Sequence, residues 1–374
     1  MKKSAIFLYL LVLIISLCVA YYTWTGEKEQ KTDKRVTIVD CAGRDLTSLV
    51  IQAKNRTVEY TQRKSQVSAN PYWWVNTTST IPPPVVKPQK KDVPDTKGPA
   101  KPEGQEPRQP AEEKPAVEAA SGQEVKTRLE VFKGNKGLGE QIEKLCPFEA
   151  LRAFGAISEE KLKEFGIIGS EERLILDFRG QPREFVFGTT SYGQKDRYLQ
   201  DSTTKEVYLV SGQLIKDLNY PKSRFMERSL HQFEKDKVVR LQISTGEAQK
   251  ELLHRKEEDQ KKDFWVDSKS PDKENELYSN WVNKLWQLSP IDYLAIPEAE
   301  TKACAFPQDA VYVSSFLFFS QDRELGFMKI FKGKDEKGNP DYYACSENTE
   351  AVVKLSRSQI ESLLKDLEDV MGKS

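Results

Sequence analysis

The chain has 374 residues, with 57 basic and 57 acidic side chains, a formal net charge of zero and only two histidines, His231 and His254. A neutral balance supplies no overall field to recruit nucleic acid, and two histidines leave little material for a histidine-based metal or catalytic centre. The length allows one to three domains with a sizeable core.

Lys2 and Lys3 precede an uncharged apolar run from Ala5 to Trp24. Twenty helical residues at about 1.5 Å each span a hydrocarbon layer of roughly 30 Å. Tyr21, Tyr22 and Trp24 fall where an interfacial aromatic belt belongs. The run is therefore read as a transmembrane anchor over residues 5–24. A cleaved signal peptide ending near Cys18-Val19-Ala20 competes with it, but the run exceeds a usual signal core. Basic residues on the two flanks nearly balance. The short head then decides the orientation, with residues 1–4 inside and the remainder exported.

On the exported side Cys41, Cys146, Cys304 and Cys345 are able to pair, in any of three connectivities. A Cys304–Cys345 bridge is the one expected first, because both residues fall in the last repeated unit. Four free thiols are the alternative.

From Arg35 the pattern turns to strands: Val36 to Val39, Leu46 to Ile51 and Thr57 to Tyr60, the last two joined through Lys54-Asn55-Arg56, and then Tyr72 to Val75. Similar elements return after Asp236, where Leu49 aligns with Leu241, Ile51 with Ile243, Arg63 with Arg255 and, after a one-residue slip, Trp74 with Trp265. Ten prolines lie between Ile81 and Ala120 among lysine, glutamate and glutamine. That composition cannot offset its conformational entropy by burial, so a disordered, polyproline-like insertion is predicted over 81–123.

Helical spacing follows at Leu138, Ile142 and Leu145, and again at Leu277, Trp281, Leu285 and Leu288. Ser158 opens a short helix that Gly166 ends. Hairpins are expected at Leu174–Gly188 and at Tyr312–Phe331. The clearest repeat sets Asp196 to Leu218 on Asp341 to Leu363, 145 positions later. It pairs Asp196/Asp341, Tyr198/Tyr343, Thr204/Thr349, Val207/Val352, Ser211/Ser356, Ile215/Ile360 and Leu218/Leu363. The closing helix carries Ile360, Leu363, Leu364, Leu367, Val370 and Met371 on one face, with Ser358 and Glu361 as a capping box.

No C-x-x-C, H-E-x-x-H, Walker loop or nucleophile elbow is present. Gly134 to Gly139 is glycine-rich, but no strand is expected before it and no lysine stands in phosphate-binding register, so it reads as a loop before a helix. Trp73, Trp74, Trp265, Trp281 and Trp286 recur at strand and helix positions and read as core.

Leu162-Lys163-Glu164-Phe165-Gly166-Ile167, a hairpin closing on Phe187-Gly188, then Arg197-Tyr198-Leu199 and Val207-Tyr208-Leu209-Val210, together resemble the bacterial DUF4340 family. The strand-strand-tryptophan module and Arg224 to Arg228 fit the same run, from Arg35 to the C-terminus without the insertion. The chain departs from the family in that insertion and in lacking a proline after the helix-ending glycine. Some members accompany gliding-motility-type ABC transporter components as membrane-anchored auxiliary subunits. The resemblance thus implies an envelope-facing accessory role and carries over no catalytic residue.

The expected fold is α+β: two duplicated halves of antiparallel meander sheets with covering helices, behind one N-terminal transmembrane helix. The expected divisions are 1–4 (cytoplasmic), 5–24 (anchor), 25–80 (first module), 81–123 (insertion), 124–235 (remainder of the first half) and 236–374 (second half). The expected role is non-enzymatic: an accessory protein of the bacterial inner membrane, single-pass with its C-terminal part in the periplasm. It would act through contacts with a membrane protein complex, as an auxiliary subunit of an ABC-type or gliding-motility-like system. No catalytic residue, cofactor, metal or nucleic acid is expected. The alternative is an envelope protein that binds glycan or peptide in the groove between the halves.

Overall fold

Period-two alternation of apolar and polar side chains dominates the chain after Arg35, and it builds sheets. The computed structural model describes residues 13, 15–17, 35–41, 45–65, 67–81, 126–193, 195–257, 262–294, 304–321 and 323–372. Apart from Leu13, Ile15, Ser16 and Leu17, the anchor expected over 5–24 lies outside the described residues, as does the proline-rich insertion apart from Ile81. Among the described residues no helix is long and apolar enough to cross a membrane.

The first sheet contains β2 (Ser48–Ala53), β3 (Arg56–Arg63), β4 (Tyr72–Ile81), β5 (Lys126–Lys133), β7 (Arg152–Gly155), β8 (Arg173–Asp177), β9 (Pro182–Thr190), β10 (Asp196–Asp201) and β11 (Val207–Ser211). Its order is β5-β4-β3-β2-β8-β9-β10-β11-β7. A two-stranded ladder pairs β1 (Val36–Val39) with β6 (Phe148–Ala150). The second sheet contains β12 (Arg240–Thr245), β13 (Ala248–Glu257), β14 (Lys262–Asp267), β15 (Pro290–Tyr293), β16 (Val311–Ser320), β17 (Arg323–Lys334), β18 (Pro340–Ser346) and β19 (Val353–Leu355). Its order is β14-β13-β12-β16-β17-β18-β19-β15. Strand for strand this repeats the first order, with β5 as the one addition. Every neighbouring pair is antiparallel, so the architecture is α+β, mostly antiparallel sheet with a few helices.

The helices are α1 (Lys136–Glu143), α2 (Glu159–Glu164), α3 (Gly212–Asn219), α4 (Lys222–Phe225), α5 (Glu276–Trp286) and α6 (Arg357–Met371). In α6 the buried residues Ile360, Leu363, Leu367 and Val370 recur every three or four positions, which turns one stripe to the core. Its N-cap is Ser356, so Ser358 lies inside the first turn and the expected capping box does not form. Glu361 accepts instead from Arg357 Nε at 2.9 Å.

Register also settles how the early strands correspond. Ile51 faces Val58 and Ile243 faces Lys250, while Trp73 faces Gln62 and Trp265 faces His254. The counterpart of Trp265 is therefore Trp73, and the slip expected at Trp74 is unnecessary. A second difference is β5, a strand that sequence patterning did not indicate. Ile81 pairs directly with Lys126, which is the last pair of the β4–β5 ladder.

The two sheets share one continuous core, from Leu49, Tyr60 and Phe132 through Phe185 to Trp281, Phe316 and Leu363. Each large apolar side chain buried there contributes about 1.5–3 kcal/mol relative to exposure. Two disulfides add to this framework: Cys41–Cys146, with Cα atoms 5.4 Å apart, and Cys304–Cys345, with Cα atoms 5.6 Å apart.

Candidate functional site

The region richest in buried polar groups is the seam where the second sheet meets the first. It begins with a turn that both repeats contain. In the first sheet Asp201 Oδ1 accepts from Thr203 N and Thr204 N, and Lys205 takes a φ of 63°. In the second, Ser346 Oγ accepts from Thr349 N and Glu350 takes a φ of 52°. The backbone device is shared, but the surroundings differ. Thr203, Thr204 and Lys205 are exposed, whereas all five residues from Ser346 to Glu350 are buried.

The second turn is buried because it docks on β5 and the linker that follows α4. Lys133 Nζ donates to Asn348 O at 2.5 Å and lies 3.3 Å from Glu350 Oε1. Asn348 Nδ2 donates to Ser229 O at 2.9 Å. Glu347 Oε1 accepts from Gln232 N at 3.3 Å and from His231 Nδ1 at 3.1 Å, while Oε2 accepts from Phe327 N at 3.0 Å. A carboxylate with three donors matches its acceptor-only chemistry when ionised. The His231 ring is packed against Trp286 at 4.8 Å and Phe318 at 4.5 Å.

The apolar part of the seam sits beside this network. Trp74 meets Tyr293 edge-on at 6.0 Å, and Tyr293 donates its hydroxyl to Glu227 O at 3.2 Å. Burial, with the Glu227 charge next, holds the Tyr293 phenol well above its ordinary range. Lys222 links Glu130 at 3.0 Å to Asp292 at 3.2 Å across the same junction.

The other residues singled out in the sequence sit in packing positions. His254 donates from Nδ1 to Val238 O at 2.8 Å, contacts the Asp263 carboxylate through Nε2, and stacks on Trp265 at 4.7 Å. Trp74, Trp265 and Trp281 are buried and Trp73 and Trp286 half-buried, so none stands on an open platform. A strand, β5, does precede the glycine-rich stretch, and the stretch is not the loop expected before a helix: Asn135 is the N-cap and Lys136 to Gly139 already belong to α1. Three amides of the stretch are engaged: Gly134 N donates to Trp73 O, Asn135 N to Phe225 O and Leu138 N to Asn135 Oδ1. Among the described residues no group of three or more His, Cys, Asp or Glu could hold a metal ion. An open pocket of about 760 Å³ flanks α1 and α3, lined in part by Arg35, Lys144, Asp196 and Gln213. Two of its cations are paired, Arg35 with Glu149 at 3.4 Å and Arg224 with Asp217 at 2.6 Å.

The Phe165-to-Tyr198 motif now has a physical account. Gly166 takes a φ of 65° to end α2, and Phe165 folds back to stack on Tyr198 at 3.9 Å. Gly188 lets the chain pass: a Cβ there would stand 2.3 Å from Phe165 O. The chain resembles the DUF4340 family. Residues 148–309 match the family's model, described as a domain of unknown function. The match is shorter than the span expected from Arg35 onward and covers under half of the chain. It runs from β6 to just before β16, so DUF4340 takes in the end of the first sheet, the linker and the start of the second. No curated protein and no solved structure matches the chain.

Proposed function

We propose that this protein is a membrane-anchored, exported accessory protein that works through contacts with other proteins, as an auxiliary subunit of an ABC-type or gliding-motility-like system. The observation that carries the reading is the filled seam. A protein that clamps a ligand between two lobes needs a junction that opens. Here that junction is closed by Trp74 on Tyr293, by Lys133 on the 346–350 turn and by Lys222 between Glu130 and Asp292. Breaking such a buried pair costs about 3–5 kcal/mol, so the two sheets behave as one rigid body that offers surfaces.

The exported location is supported by the two disulfides, since such bonds persist in oxidising compartments. The bacterial inner membrane, with the folded body in the periplasm, is the setting that the apolar run and the DUF4340 resemblance together suggest. The transporter association rests on that resemblance alone. We also read the chain as a duplication, with divisions near 235/236, because the two sheets repeat one strand order.

The glycan- or peptide-binding alternative has less support, since Trp74 and Trp265, the aromatics that would line a groove, are 3% and 2% exposed. Cross-linking in intact membranes followed by purification tests the accessory reading. It requires recovery of a second membrane protein, and recovery of the chain alone would overturn it.

A further inference from the structure

Each sheet carries a tyrosine on the face turned away from the shared core, Tyr198 on β10 and its counterpart Tyr343 on β18. In the first sheet the segment between β7 and β8 crosses that face and is tied down by hydrogen bonds. Phe165 stacks on Tyr198, and Phe165 O accepts from Thr189 N at 2.8 Å and from its hydroxyl at 3.1 Å. In the second sheet the corresponding segment is described from Cys304 onward, and its attachment is different. Phe306 stacks on Phe331 at 3.8 Å, and Cys304 is bonded to Cys345, which stands where the first sheet has Gln200.

Among the described residues, 304–310 make no backbone hydrogen bond to the sheet, and Ala310 N donates within the segment, to Pro307 O at 3.0 Å. Cys304 itself takes a φ of 72°, a left-handed conformation that side chains rarely adopt. This strap accounts for an anomaly of burial. Tyr343 and Cys345 lie on the outer face yet are 7% and 0% exposed. Beside them Leu317, Phe319 and Phe327 are half-buried on the same face, at the positions that hold Ile175, Asp177 and Glu184 in the first sheet.

We infer that the Cys304–Cys345 bond is a redox-controlled fastener for this strap. A dithiol reductant attacks one sulfur through its thiolate and forms a mixed disulfide. Its second thiol then displaces the protein sulfur, so the reductant leaves oxidised to a disulfide and Cys304 and Cys345 remain as thiols. The Phe306–Phe331 stack is then the main aromatic contact that the described residues 304–310 keep with the sheet. Their release joins Phe331 and Tyr343 to the Leu317–Phe319–Phe327 stripe, giving an apolar face that exists only in the reduced protein. Cys41–Cys146 has a different place, since both of its residues pack against the main core.

The test is a dithiothreitol titration of the full-length chain, followed by differential alkylation, hydroxyl-radical footprinting and hydrogen exchange, all read by mass spectrometry. Cys304 and Cys345 should alkylate together, the side chains of Phe331 and Tyr343 should gain hydroxyl-radical labelling, and the amides of β2 to β4 and β12 to β14 should keep their protection. A Cys304→Ser/Cys345→Ser chain should show the open pattern without reductant. The inference is overturned if the bond resists reduction in the native protein, or if Phe331 and Tyr343 stay unlabelled after both thiols are alkylated. Loss of protection throughout the second sheet, or a double variant that does not fold, would make the bond structural and overturn it equally.

Discussion

Glu347 occupies the space that Gly326 leaves empty. A Cβ on Gly326 would stand 2.4 Å from the Glu347 carboxyl carbon. The register makes Gly326 the counterpart of Arg183, whose guanidinium in the first sheet pairs with Asp201. The second sheet thus has no side chain at this point, and the carboxylate that reaches His231 fills the space. Gly326→Ala should destabilise the protein by about 1–3 kcal/mol through overpacking against a buried charge. Urea unfolding of the variant and parent measures this, and equal midpoints would show that Glu347 can move aside.

Lys133 is the more deeply buried of the two seam lysines, with its side chain 7% exposed against 24% for Lys222. Lys133→Met keeps most of the volume but strips the ammonium from Asn348 O and Glu350. A loss of about 3 kcal/mol is expected. In a double-mutant cycle with Glu350→Gln the two losses should fall short of additivity, because both act on one contact. Strict additivity would mean that the pair contributes nothing to the seam.

Tyr60, Tyr208 and Tyr293 should make the fold sensitive to alkali. Burial is the main cause at each, and Tyr208, bonded to Glu206 at 2.5 Å, is pushed up to about 12. A phenol near 10 in the unfolded chain and higher in the folded one binds more protons in the folded state between those values. Stability is therefore unaffected by these groups below pH ~10 and falls as pH rises from ~10 towards ~12. Tyrosinate absorbance should lag in the native protein and complete its rise only on unfolding. A full tyrosinate signal from a still-folded chain would contradict this.

The two disulfides should differ in what their loss costs. Cys41 and Cys146 are 105 residues apart, and Cys304 and Cys345 are 41 apart. By loop entropy, removing the longer closure costs about 4–5 kcal/mol and the shorter one somewhat less. Calorimetry of the two serine double variants compares them, and the reverse order would count against the loop-entropy account.

The architecture was largely legible in the sequence because it is written in local periodicity. The 145-residue offset located β10, β11 and α3 against β18, β19 and α6, and the burial of Ile360, Leu363 and Val370 follows from their helical spacing. What escaped notice depends on distant partners. Strand β5 follows a polar, proline-rich stretch, and its first four residues are exposed, so its alternation carries little hydrophobic contrast. The cap of α6 is Ser356, the serine that both repeats carry between strand and helix, because β19 ends one residue earlier.

The seam was the least legible part. Ser346 to Glu350 reads in sequence as the same polar turn as Asp201 to Lys205. Only the docking of Lys133, from more than 200 positions away, turns it into a buried joint.

The central claim is that this rigid two-sheet body acts through its surface on a membrane partner, and site-specific photo-cross-linking measures that most directly. A photoreactive residue would be placed in turn at Leu129, Ile168, Tyr192 and Val311, all exposed, and irradiated in intact membranes. The account predicts that at least one of these positions captures a single, reproducible membrane protein. Irradiation that yields no adduct at any position, or only scattered unrelated ones, would contradict it.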